Sequence, residues 1–149
     1  MNSGNEYRDL VRRQIETEAG PDTVVRSEIS IATAKGGVYR AALFLSSLRP
    51  RQIVGKFYFG EKGAVISCKY QGTAGTAEQK IPAELLELTG LTKEGYRCLL
   101  IYGGEGFTQE KLEEYEQHAR DWGIAMWRWD PPRESLPSDD QLPLAGFRS

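Results

Sequence analysis

A chain of 149 residues, 40% hydrophobic and 27% charged, is sized and composed for one folded domain, which excludes an intrinsically disordered protein. No apolar run approaches the roughly 20 residues that a membrane-spanning helix needs. The polar start MNSGNEYRDL lacks the apolar stretch of a signal peptide, so a cytoplasmic protein with no membrane partner is expected.

Glu6 to Glu18 reads as a helix, because Tyr7, Leu10, Val11 and Ile15 recur at helical spacing; Ser3 or Asn5 can cap it and Gly20–Pro21 ends it. Thr23–Ala32 is rich in β-branched residues and reads as a strand. The turn signal Lys35–Gly36–Gly37 joins it to a second strand, Val38–Ser46, as a hairpin. After the loop Leu48–Arg51, Ile53–Phe59 is a strand or ribbon and Ala64–Tyr70 a further strand, which makes an antiparallel meander. The capping-box spacing of Thr76 and Gln79 then opens a helix with Ala77, Ile81, Leu85 and Leu88 on one face. Pro82 should kink that helix or mark a second start, and Gly90 should stop it. Tyr96–Tyr102 is a buried strand, Thr108–Trp122 a helix facing inward through Leu112, Tyr115, Ala119 and Trp122, and Ile124–Trp129 a last strand. A meander followed by this alternation fits a mixed central sheet with helices on its faces. One domain is expected over residues 1–130. Residues 131–149, rich in Pro, Ser and Asp, read as an extended tail that Leu142, Leu144 and Phe147 can dock.

The charge is uneven although the net value is only −2. From Lys35 to Lys69 there are seven basic residues and one acidic residue, Glu61, whereas Thr76–Arg120 carries nine carboxylates and five basic residues. Such a chain can carry one basic and one acidic face. Cys68 and Cys98 have no metal-ligand spacing and read as buried thiols. The most informative stretch is Val65–Gln71. Alternation puts Ser67, Lys69 and Gln71 on one face of its strand and leads them into a helix start, where free N–H groups favour an anion. A solvated lysine on an edge strand would give the same pattern.

This stretch resembles the PD-(D/E)XK nuclease superfamily, in which a lysine on the third core strand is followed by an aromatic residue, a glutamine and a Gly-Ser/Thr-Ala-Glu-x-Lys helix start. Lys69, Tyr70, Gln71, Gly75, Thr76, Ala77, Glu78 and Lys80 match that run. Glu6 on the first helix and the strand end Tyr102–Phe107 match as well, so the resemblance spans Gly4 to Trp129. It implies an α/β restriction-endonuclease-like fold, a mixed central sheet flanked by helices with an α-β-β-β-α-β core and an extra hairpin. It also implies a Mg²⁺-dependent DNA endonuclease (Mn²⁺ as substitute cation) acting on double-stranded DNA as a homodimer or higher homo-oligomer. Lys69, Ser67, Gln71 and Glu6 would be the catalytic positions. Arg40, Arg49, Arg51, Lys56 and Lys80 would lie on the DNA, the middle three from a β-ribbon over Arg49–Phe59 whose Phe57 and Phe59 pack inward.

The metal motif departs from the family. Ser67 stands where an acidic residue is expected, and Ala42, or Ala41, where an aspartate is expected. The remaining family ligand would be the Cys68 main-chain carbonyl. Three explanations follow: other carboxylates such as Asp22, Glu6, Glu28 and Glu78 fill in; Ala42 stands in for an aspartate removed to trap an uncleaved complex; or the chain is a pseudo-nuclease that binds DNA without cutting it. Gly103–Gly106 lacks the Lys-Ser/Thr of a phosphate loop and reads as a tight turn, and His118 reads as a surface residue.

Overall fold

The computed structural model describes residues 4–47, 49, 51–53, 57–60, 62–72 and 77–132. The elements follow the chain as α1 (Gly4–Ala19), β1 (Thr23–Ala32), β2 (Val38–Ser47), β3 (Arg51–Ile53), β4 (Phe57–Phe59), β5 (Ala64–Tyr70), α2 (Ala77–Lys93), β6 (Arg97–Gly103), α3 (Gln109–Asp121) and β7 (Ala125–Arg128). Five strands form one sheet in the order β1-β2-β5-β6-β7. The β1–β2 and β2–β5 pairs are antiparallel; β5–β6 and β6–β7 are parallel, with α2 and α3 as the crossovers. This is the mixed α/β sheet expected from the sequence.

Each face of the sheet is covered. On one, Ile81, Leu85, Leu88 and Leu91 of α2 and Leu112, Tyr115 and Ala119 of α3 pack on Val65, Cys98, Leu100 and Tyr102. On the other, Tyr7, Val11 and Ile15 of α1 pack on Leu43, Leu45, Ile66, Leu99 and Ile101. Strands β5 and β6 are buried on both faces, which is why they read as continuous apolar runs. No helix among the described residues is long and apolar enough to cross a membrane.

Two expectations need correction. The four-strand meander is interrupted, because β3 and β4 leave the sheet as a separate two-stranded ribbon and β5 pairs directly with β2. The physical reason is the ribbon's own apolar set: Ile53, Phe57 and Phe59 are buried in the cluster built on α1. Helix α2 also does not stop at Gly90 but runs to Lys93, with Pro82 inside it. An interior glycine costs only about 1 kcal/mol, less than the burial of Leu91 just beyond it contributes. Of the predicted tail, only Pro131 and Pro132 belong to the described residues; its docking residues Leu142, Leu144 and Phe147 lie outside them.

Candidate functional site

The sheet forks in the middle. β2 pairs with β5 only through Leu43↔Ile66, Phe44↔Val65 and Leu45↔Ala64. Beyond that point Ser67–Tyr70 stays with β6, while Val38–Ala41 stays with β1. A second irregularity coincides with the first. In the β1–β2 ladder, Ser27↔Leu43 and Ile29↔Ala41 are paired but Glu28 and Ala42 between them are not, and Glu28 has φ 57°. Strands keep a period of two, yet Tyr39 and Ala41 face the α2 side whereas Leu43 and Leu45 face the α1 side; Ile29 and Ile31 are set against Val25 in the same way. The left-handed residue therefore inverts the hairpin's inward face where β2 and β5 part.

Two groups of side chains meet at the fork. On the α2 side, Lys69 Nζ lies 3.8 Å from Glu84 Oε1, with the two side chains 24% and 14% exposed. The Tyr39 hydroxyl donates to the other oxygen of Glu84. Burial, then the Glu84 charge, pushes the Tyr39 hydroxyl far above its ordinary value, so it stays a proton donor. On the other side of the fork an open pocket of about 260 Å³ is lined by Gly4, Asn5, Arg8, Glu28, Arg40, Ala41, Ala42 and Cys68. Arg8 Nη1 donates to Glu28 Oε2, and Arg40 Nη2 donates to Glu28 Oε1 at 3.2 Å. The hydrogen bonds from Arg40 and Arg8 hold the Glu28 carboxyl below the usual range. It is therefore charged at neutral pH, and this bridge is lost only as pH falls through that lowered value. Burial pushes the Cys68 thiol up to about 12, against the pull of Lys69 and Arg8, so at neutral pH it is neither a thiolate ligand nor a nucleophile.

The predicted site residues divide accordingly. Lys69 lies on the α2 side of the fork with Ser67 two residues before it on the same strand, while Cys68, Arg40 and Ala42, joined by Glu28, line the pocket on the other side. Glu6 is half-buried in the first turn of α1, next to Asn5 but not among the pocket-lining residues. Asp22 does not reach the site: it precedes Thr23, which pairs with Ser47. The five residue steps from Thr23 to Glu28 put Asp22 more than roughly 17 Å down the strand, where it pairs with Arg49 at 2.6 Å. That pairing also puts Arg49 far from the fork. Gln71 is buried and already engaged; its Nε2 donates to Gly106 O at 2.8 Å and its Oε1 accepts from Glu78 N at 2.9 Å. Glu78 in turn accepts from the N–H and hydroxyl of Thr108. Gln71 and Glu78 thus cap α2 and α3 rather than face a ligand. Lys80 is exposed on the first turn of α2. Lys56 and the side chain of Arg51 lie outside the described residues.

Glu84 and Arg8 were not singled out from the sequence. The signal for Glu84 was there: Ile81, Glu84, Leu85 and Leu88 share one helical face, so a carboxylate interrupts a buried stripe. Arg8 gave no signal, since α1 carries basic residues on several faces.

The expected Mg²⁺ set is not assembled among the described residues. Ala42 offers no oxygen ligand from its side chain, Ser67 is buried, and no three His, Cys, Asp or Glu residues converge. A hard divalent cation needs several oxygen ligands. The one carboxylate lining the pocket beside Ala42, Glu28, has both oxygens taken by the guanidinium groups of Arg8 and Arg40, so these residues do not fit the metal.

A family model described as the PD-(D/E)XK nuclease superfamily domain matches residues 4–130. Among solved structures, a protein of unknown function, AF1548, is similar with a TM-score of 0.52 and 14% identity, covering 89% of this chain and 61% of that one. At that identity the likeness concerns the fold, and this chain spans less than two thirds of the other's length. No curated protein sequence matches.

Proposed function

Because the chain belongs to the PD-(D/E)XK nuclease superfamily, we propose that this nuclease-like domain takes the backbone of double-stranded DNA into the fork between β2 and β5 and holds it without Mg²⁺-dependent cleavage. One observation carries this reading: the fork presents Lys69, while the two positions that would carry the family's carboxylates are Ala42 and a buried Ser67. A partly exposed ammonium at 3.8 Å from its carboxylate is loosely held, and it can turn toward a phosphate oxygen. Glu84 acts through Lys69 as a positioning residue.

The test pairs a binding assay on duplex DNA in EDTA with a plasmid-nicking assay in Mg²⁺ or Mn²⁺. Salt-sensitive binding and no nicking are expected. The absence of binding at low salt would sink the proposal. Lys69→Ala should reduce the slope of log K against log salt by about one, the signature of a lost phosphate contact. If the slope is unchanged, Lys69 is a structural residue.

Nicking by the unmodified protein in Mg²⁺ or Mn²⁺ would instead assign it Mg²⁺-dependent endonuclease activity. Assembly into a homodimer would let two forks address the two strands; light scattering of the free protein reads this directly.

A further inference from the structure

The mismatch between the fold family's cation and this pocket has a consequence of its own. Arg8 and Arg40 come from different elements, α1 and β2, yet both guanidinium groups converge on the two oxygens of one carboxylate, Glu28. Glu28 reaches that place only because it adopts a left-handed backbone conformation inside a strand, at φ 57°. A side chain rarely occupies that region, and such strain collects at ligand sites. The Arg8 side chain is 16% exposed, and Asp9, Asn5 and Glu28 take four of its five N–H groups, so its orientation is set before anything binds and one N–H is left for a ligand. Arg40 is 62% exposed and, besides Glu28, touches only Ser30 at 3.3 Å among the described contacts. An arginine has five N–H donors, and these bonds leave donors of Arg40 open to the pocket. Opposite them Ala42 contributes only a methyl group, so the space that an aspartate would fill stays free.

We propose that this pocket is a metal-independent phosphate subsite, in which Arg8 and Arg40 take the place of a divalent cation and bind one backbone phosphate of the DNA held at the fork. The inference rests on the DNA-binding reading above. Glu28 is the brace that holds the two guanidinium groups at a common anion, and the open pocket beside Ala42 admits the phosphate oxygens. Arg40 keeps enough free N–H groups to meet a phosphate in a pair of parallel hydrogen bonds, Arg8 adds one N–H, and both stay charged at any working pH. Glu28 and Asp9 balance the two guanidinium charges, so it is the lack of a further carboxylate at position 42 that leaves the pocket able to accept an anion.

The probe is a fluorescein-labelled DNA duplex, titrated by anisotropy in EDTA and again with Mg²⁺. The unmodified protein should bind equally well in both. Arg40→Gln removes an exposed side chain and should leave the melting temperature unchanged. It should weaken binding about tenfold, the size of one charge-assisted hydrogen bond, and lower the salt slope by about one. Ala42→Asp should also weaken binding in EDTA, because its carboxylate would occupy the guanidinium donors. Binding that requires Mg²⁺, or binding in EDTA that neither variant alters, would overturn the subsite while leaving DNA binding in place. If no duplex binds under any condition, the DNA-binding reading falls as well.

Discussion

Gly104→Ala is expected to lower the melting temperature by roughly 6–12 °C, on a destabilisation of about 3 kcal/mol and the usual few degrees per kcal/mol for a domain of this size. Gly104 has φ 100°, and a methyl group there would meet Gln71 O at 2.3 Å and Gln71 C at 2.7 Å. Neither neighbour can yield cheaply, because both are backbone. The Gln71 N–H donates to Gly103 O at 3.1 Å and its carbonyl accepts from Gly106 N at 2.8 Å. The turn is also tied to the end of β7, where Asp130 Oδ1 accepts from Gly104 N at 2.7 Å. Gly103 is crowded in the same way, by Trp129 O at 2.4 Å. Calorimetry gives the value directly; a fall of less than about 2 °C would show that the two backbones are not in this contact.

Gln71→Ala should cost about 2–4 kcal/mol, since it strips partners from two buried backbone groups, the Glu78 N–H and the Gly106 carbonyl. The variant also separates two roles. If Gln71 faced a ligand, its loss would weaken DNA binding at unchanged stability. The observed bonds require the reverse, a lower midpoint in chemical denaturation, with binding changed only as far as the end of β5 loosens around Lys69. Gln71→Glu keeps an acceptor for Glu78 N but sets a buried carboxylate oxygen against Gly106 O, so its loss should be at least that of alanine.

The helices and the long strands were legible because their apolar spacing is regular. α1, β1, β5 and α3 lie within a few residues of the spans that periodicity indicates. The ribbon was legible in part: Phe57 and Phe59 do face inward, but its departure from the sheet depends on packing against α1, which no local pattern encodes. The same division holds at the fork. Lys69 stood out because a charged residue near the end of an apolar strand demands an explanation. Gln71 stood out for the same polar face, but its partners, Gly106 and Glu78, are contributed by later parts of the chain. The Glu28 inversion was hidden, since a strand pattern gives no warning of a left-handed residue that is not glycine. Glu84 gives a local signal, a carboxylate within a leucine stripe, but its partners Lys69 and Tyr39 come from distant strands.

The backbone irregularity at Glu28 matters outside the pocket as well. β1 is ten residues long and forms one border of the sheet, with Val24 exposed on it. A long flat border of unpaired amide groups is a template for pairing with other chains and for aggregation. A mid-strand residue in the left-handed region twists that border and breaks its row of donors and acceptors into two short pieces, much as a bulge does. The inversion at Glu28 thus shortens the continuous edge that β1 offers to a neighbouring molecule.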